Sequence, residues 1–225
     1  MYKHLTFLYL LLMCFAAGAQ VPVEKSAYSP TMISTAYFGP YAFPVPELLE
    51  GGVCSSLYLE LAGDLASGNI AGSSAGGRDR TTAATFKASV PLWTDRAAIS
   101  VWGEMHEWYS DTPQVRKIRR VGDQYPLKGD CAGTVYFSID MLVLKETQKR
   151  PSIALRAATQ SATGDKYEVA RHYDAPGYFF DISSGKSFKA GDGAAFRASA
   201  TAGFVCWQTD RGRQNDALML GAKLS

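Results

Sequence analysis

Along most of the chain apolar and polar residues alternate one for one, the period of a strand with two unlike faces rather than the 3.6 of a helix. Leu57, Leu59, Leu61 and Leu65 alternate with Ser56, Tyr58, Glu60 and Asp64. Ile99, Val101 and Met105 face away from Ser100, Glu104 and His106. Phe137, Ile139, Met141 and Val143 do the same against Ser138 and Asp140, as do Tyr178, Phe180 and Ile182 against Asp181 and Ser183. The pattern predicts eight strands, at 55–66, 83–93, 97–109, 132–146, 151–160, 178–188, 194–207 and 217–225. These are long beside a usual strand of roughly 5–6 residues.

Connections of 16, 3, 22, 4, 17, 5 and 9 residues separate the strands, so that long and short alternate. The short ones are turn material, such as Thr94-Asp95-Arg96 and Thr147-Gln148-Lys149-Arg150. The plan is an all-β, antiparallel up-and-down meander: a β-barrel of about eight strands, or a truncated copy of a larger one. A Greek-key sandwich gives no reason for the alternation in loop length.

Alternation alone does not say which face looks inward. Two features point the apolar face outward, to lipid. Aromatics gather near strand ends, with Phe86, Tyr109, Tyr178, Phe180 and Phe204 toward the long loops and Phe188 and Phe196 at the short turns. The polar face carries charges of both signs in mid-strand, at Glu60, Lys87, Glu104, Asp140, Arg156, Asp181 and Arg197, which would pair inside a narrow lumen. By the same parity Trp102, Trp108 and Trp207 fall on the polar face, and Trp93 sits at a turn.

The start of the chain is an address. Lys3 precedes an apolar run from Leu5 to Ala16, followed by Ala17-Gly18-Ala19, so residues 1–19 are read as a secretory signal peptide. Residues 20–54 are different again, with Pro22, Pro30, Pro40, Pro44 and Pro46 among Tyr28, Tyr37, Phe38, Tyr41 and Phe43. Such chain cannot join the middle of a sheet. It reads as a periplasmic lead-in or as a plug in the barrel mouth, with one helical turn at Pro46–Gly51. Residues 55–225 are the barrel domain.

Composition narrows the classes. The 225 residues carry 23 Lys+Arg against 21 Asp+Glu, so nucleic acid is excluded as a partner for want of a basic excess. Hydrophobic residues at 47% exclude wholesale disorder. Beyond the signal peptide there are three cysteines, Cys54, Cys131 and Cys206, whose spacing outlines neither a disulfide framework nor a zinc motif, so no metal and no cofactor are assigned. Gly185-Lys186-Ser187 lacks the earlier glycine of a phosphate loop, Phe180 standing in its place.

Phe38-Gly39-Pro40-Tyr41-Ala42-Phe43-Pro44-Val45-Pro46-Glu47, Pro176-Gly177-Tyr178-Phe179-Phe180-Asp181 and Cys206-Trp207-Gln208-Thr209-Asp210 resemble segments of uncharacterised exported proteins of Bacteroidetes-type bacteria, presumed outer-membrane barrels. The resemblance implies location in the cell outer membrane, with membrane lipid, lipopolysaccharide and the barrel-insertion machinery as partners, and carries no chemistry. Barrels of that type usually end in an aromatic residue, whereas this chain ends Leu224-Ser225.

Two constellations remain. Glu104 and His106 share the polar face of one strand, where a lipid acyl hydrolase or transferase would set its acid–base pair, though no serine is singled out. Arg116, Lys117, Arg119 and Arg120 form the one dense basic cluster, in the longest loop, where they could meet lipopolysaccharide phosphates. The leading expectation is an outer-membrane barrel with a structural, anchoring or small-solute role. Its rivals are a soluble periplasmic or secreted barrel binding a hydrophobic ligand, and the acyl hydrolase or transferase using His106.

Overall fold

The computed structural model describes residues 38–42, 47–69, 77–92, 95–173, 175–189, 195–209 and 213–225. The proposed signal peptide, Trp93 and the glycine-rich stretch 71–76 lie outside them. One antiparallel sheet holds β1 (Tyr58–Asn69), β2 (Arg78–Pro91), β3 (Ala97–Asp111), β4 (Lys128–Cys131), β5 (Val135–Leu144), β6 (Ser152–Gln160), β7 (Gly177–Lys189), β8 (Ala195–Thr209) and β9 (Arg213–Leu224). Eight of these run up and down in the order β1-β2-β3-β5-β6-β7-β8-β9, and the sheet curls into a half-barrel with β1 and β9 at its edges. The short β4 lies off that path and pairs with β3 alone.

The eight predicted strands are all present, but two long connections shrink. The 16-residue loop becomes eight residues, because Ser67, Gly68 and Asn69 keep pairing with Arg80, Asp79 and Arg78. The nine-residue loop becomes three, with Thr209 paired to Arg213. In both cases the hydrogen-bond ladder continues where the apolar pattern stops, since backbone pairing does not need apolar side chains. The longest loop folds instead of wandering. It contains α1 (Pro113–Arg119), which opens with Pro at its first turn after extended Thr112 and closes on left-handed Arg120 (φ 57°), and then β4. A single 3-10 turn, Tyr167–Val169, occupies the loop after β6.

The polar face of the sheet is the interior. Ser100, Ser138, Asp140, Ser152, Arg156, Asp181 and Ser183 are buried inside the curl. The apolar face is bare: Leu61 is 78% exposed, Leu65 71%, Leu218 85% and Leu220 81%. Phe188 and Phe196 stack on that outer face at the short-turn end, their centroids 5.0 Å apart, and toward the other end Tyr178 meets Phe180 and Phe204 edge-to-face.

One irregularity re-sorts the faces of β3. Thr85 pairs with Glu104 but Ala84 pairs with His106, so Met105 is an extra residue, a β-bulge. Below it Ala98, Ser100, Trp102 and Glu104 turn inward; above it Glu107, Tyr109 and Asp111 do, and His106 and Trp108 turn out. The bulge sits where β3 changes partner, from β5 (Gly103 opposite Val135) to β4 (Glu107 opposite Cys131). Gly103 is required there, since a Cβ would come 2.2 Å from the Thr134 carbonyl oxygen. Strict parity therefore misassigns two aromatics. Tyr109 belongs to the interior, 6% exposed, and Trp108 takes the outer position at 50%. Trp102 stays inside as expected, stacked on Tyr136 at 5.6 Å with Phe179 at its edge.

The N-terminal segment is seen at both ends of this interior. At the long-loop end Phe38 stacks on Tyr173 at 4.0 Å, and the Gly39 amide donates to the Ala170 carbonyl. At the short-turn end residues 47–54 lie along the inner face as a strap leading into β1. The expected helical turn is a tight reverse turn: the Gly52 amide donates to the Leu49 carbonyl, with Glu50 (φ 55°) and Gly51 (φ 73°) between them. Gly51 presses so closely on β6 and β7 that a Cβ would lie 2.4 Å from the Gly185 amide nitrogen.

Candidate functional site in the polar interior

Two groups of charges occupy the interior, one toward each end. The lower one begins in the pairing register. Asp140, Arg156 and Asp181 stand directly opposite one another across β5, β6 and β7. Arg156 donates to Asp181 Oδ2 at 2.7 Å and lies 5.3 Å from the centroid of Phe179. Asp140 accepts from Ser138 at 3.0 Å and from Ser100 at 3.2 Å. The strap completes the set: Arg156 also donates to the Glu47 carbonyl at 2.9 Å, and the Gly51 amide donates to Ser183 Oγ at 3.1 Å.

Nearer the short turns Arg197 donates to Glu146 Oε2 (2.7 Å), to the Glu50 carbonyl (2.7 Å) and to Ser152 Oγ (3.0 Å). The Ser187 amide donating to Glu146, together with Arg197, holds that carboxyl down to about 2. Lys87 pairs with Glu47, Lys223 with Glu50, and Tyr58 donates to Glu60. Between the strap and β1, β2, β3, β5 and β6 there remains a cavity of about 760 Å³, lined by Glu47, Glu60, Lys87, Trp102, Asp140 and Arg156 among others.

The upper group is larger, drier and was not foreseen. Arg171, fully buried, donates from Nε to Glu107 at 2.6 Å and from Nη2 to Thr81 Oγ1 at 2.6 Å. Its Nη1 lies 3.4 Å from Asp79 and 3.6 Å from Asp111, and its guanidinium sits 4.8 Å from the centroid of Tyr109. Arg119 from α1 pairs with the same two aspartates, donating to Asp111 at 2.7 Å. The carboxylates of Glu107 and Asp79 outweigh the effect of burial and hold Arg171 above its ordinary value.

Next to this salt-bridged core are groups with no hydrogen-bond partner among the described residues. They are Glu104 Oε2, Glu107 Oε2, Thr134 Oγ1, Tyr136 Oη and both ring nitrogens of His172. His172 Nε2 stops 3.5 Å from Glu107 Oε2, and Cys131 Sγ stops 3.5 Å from Glu107 Oε1. Glu107, Cys131 and His172 are all buried, and one ligand atom from each lies within 4.8 Å of the others.

The fates of the foreseen residues divide accordingly. Glu60, Lys87, Glu104, Asp140, Arg156, Asp181 and Arg197 all lie on the inner face; the strap joins Lys87, Arg156 and Arg197, while Glu104 stands apart in the upper group. Glu104 and His106 are not brought together. The bulge sends His106 outward, where its Nε2 lies 3.1 Å from Asp130 and its ring meets the edge of Trp108. Within the basic cluster Arg119 is spent on Asp79 and Asp111, 2% exposed, and is closed to an external anion. Arg116 donates to the Tyr125 carbonyl, which leaves Lys117 and Arg120 as the exposed pair.

Sequence reading missed Asp79, Glu107, Asp111, Arg171 and His172. The first three needed the bulge and the longer β2; the last two sit in a loop, where charge is ordinarily solvated. Comparison with protein-family models, with curated proteins and with solved structures found no match for this chain.

Proposed function

We propose that this chain is a membrane-embedded β-barrel protein of the outer-membrane type, with a structural or anchoring role. One observation carries the reading: the apolar face of the curled sheet is bare and the polar, charged face is buried, the reverse of a sheet that folds in water. The strands have 9 to 15 residues on the main path, enough for the roughly 9–11 that a tilted crossing needs. Outer aromatics near both strand ends suit the two water–lipid boundaries.

Binding of an apolar ligand inside a soluble barrel fits poorly, since the inner wall is built from serines, aspartates and arginines. With the strap lying along that wall, a steady wide pore is not expected, and planar-bilayer conductance should record none. The acyl hydrolase or transferase reading loses its acid–base pair at the Met105 bulge. Hydrocarbon also makes an open strand edge costly, so the reading requires the free edges of β1 and β9 to be paired in the membrane.

The test is a charge placed in mid-strand on the outer face. Ile182, 48% exposed in β7, is the site. At the middle of a bilayer Ile182→Arg should cost about 2–4 kcal/mol in folding titrations into lipid vesicles. On a water-facing surface the same change stays within about 0.5 kcal/mol. The latter result, or a wild-type chain that folds and stays monodisperse without detergent or lipid, would refute the reading.

A further inference from the structure

The upper interior holds buried polar atoms that have no hydrogen-bond partner among the described residues. Four carboxylates, Asp79, Glu104, Glu107 and Asp111, face two guanidinium groups, Arg119 and Arg171. Buried charges are ordinarily paired, and buried polar atoms are ordinarily hydrogen-bonded. Beside them a fully buried imidazole has no hydrogen-bond partner for Nδ1 among the described residues, and its Nε2 stops 3.5 Å from Glu107 Oε2. His172 is held there by packing: a Cβ at Gly164 would lie 2.6 Å from its Cβ and 2.7 Å from Thr134 Oγ1, so this ring is wedged and not adrift.

We propose that Glu107, Cys131 and His172 form a binding site for a divalent transition-metal ion of the zinc class. Zinc bonds of about 2.0–2.3 Å at tetrahedral angles set neighbouring ligand atoms about 3.3–3.8 Å apart. Glu107 Oε2 to His172 Nε2 is 3.5 Å, too long for a good N–H···O hydrogen bond and right for one edge of such a polyhedron, while the Cys131 thiol donates to the other oxygen, Oε1, at 3.5 Å and so stands beside it, one ligand atom from each of the three lying within 4.8 Å of the others. A thiolate, an imidazole and one carboxylate select zinc, cobalt or nickel over magnesium or calcium, which want an all-oxygen shell.

Arg171 supplies outer support, since its Nε–H bond to Glu107 Oε1 orients the carboxylate. On binding, the Cys131 S–H bond breaks, its proton goes to solvent and the sulfur lone pair bonds the metal. The ion ties together β3, β4 and the loop after β6, which meet at this end in the small apolar cluster of Tyr109, Cys131 and Val169. The site does not depend on what the outer face meets, lipid or water.

Cobalt(II) is the probe, titrated into the purified, folded full chain. A near-ultraviolet thiolate-to-cobalt charge-transfer band, with the strong visible bands of a four-coordinate ion, is the expected result, and zinc should displace it. Cys131→Ser should abolish the charge-transfer band and weaken binding by more than the roughly 100-fold that loss of an outer-shell contact costs. Cys54→Ser and Cys206→Ser should leave both unchanged. Should Cys131→Ser fail to fold, His172→Asn carries the same expectation of lost four-coordinate bands and weakened binding. No band in a folded wild-type chain at saturating cobalt would overturn the proposal, as would only the weak bands of a six-coordinate surface ion, a charge-transfer band that survives Cys131→Ser, or four-coordinate visible bands and affinity unchanged in His172→Asn.

Discussion

The two ends of the polar interior solve the problem of buried charge in opposite ways. At the short-turn end the strap brings backbone carbonyls to the cations: Glu47 to Arg156, and Glu50 to Arg197. Asp140, Arg156 and Asp181 are buried there and Arg197 and Glu146 half-buried, and each has hydrogen-bond partners. At the long-loop end the cations come from folded loops, Arg119 on α1 and Arg171 after the 3-10 turn. They enter a space where almost nothing is exposed and several atoms have no partner among the described residues. A satisfied and partly wet network is what a tether needs. A dry network with polar atoms left without partners among the described residues is what a ligand site needs.

This contrast can be broken in order of cost. Arg171→Ala strips the only described partner from Glu107 Oε1 apart from the Cys131 thiol, and should cost about 3–5 kcal/mol or abolish folding, because an uncompensated buried charge is left behind. It is read as a urea midpoint of the folded chain in micelles or vesicles. Arg156→Ala should fall at or just below the lower end of that range, about 3 kcal/mol, since Asp181 keeps its contact with Thr201 at 3.3 Å. Equal midpoints for wild type and Arg156→Ala would mean that the lower end is not held by its charges.

Gly51→Ala tests the strap directly. A left-handed backbone and a contact of 2.4 Å to the Gly185 nitrogen predict a loss of about 1–3 kcal/mol and faster proteolysis N-terminal to β1. Acid separates the ends more gently. The Glu146 carboxyl is depressed to about 2, so its contribution is complete above its ordinary value of about 4.5 and is lost as pH falls from there toward 2. Glu146→Gln should therefore flatten the stability profile between those limits and leave it unchanged near neutrality in shape. Smallest of all is Arg120→Ala on the exposed loop, expected within about 0.5 kcal/mol.

The meander was legible because its signal is repeated and local: each strand states its two faces by alternation, and each turn by its residues. The lower charges were legible for the same reason, Asp140, Arg156 and Asp181 all lying on one parity. The upper site was not, because its residues come from four unlike places. Glu107 is inward only after an inserted residue, Asp79 lies beyond the apolar belt, Cys131 ends a four-residue strand, and Arg171 and His172 follow a turn that has no periodicity. The cysteine spacings showed no metal motif because such motifs record ligands close in sequence, whereas these ligands meet only through the fold.

Met105 behaves as a one-letter insertion in a two-letter code. Every residue of β3 after it is read in the other frame, so a single position decides whether Glu107, Tyr109 and Asp111 or His106, Trp108 and Ser110 face the interior. Substituting Met105 would change one side chain. Deleting it would exchange the contents of the two faces along the whole upper strand, turning two carboxylates and an aromatic platform out and an imidazole and an indole in. Along this strand, length is therefore a stricter inheritance than identity: a change of residue edits a word, and a change of count shifts the frame.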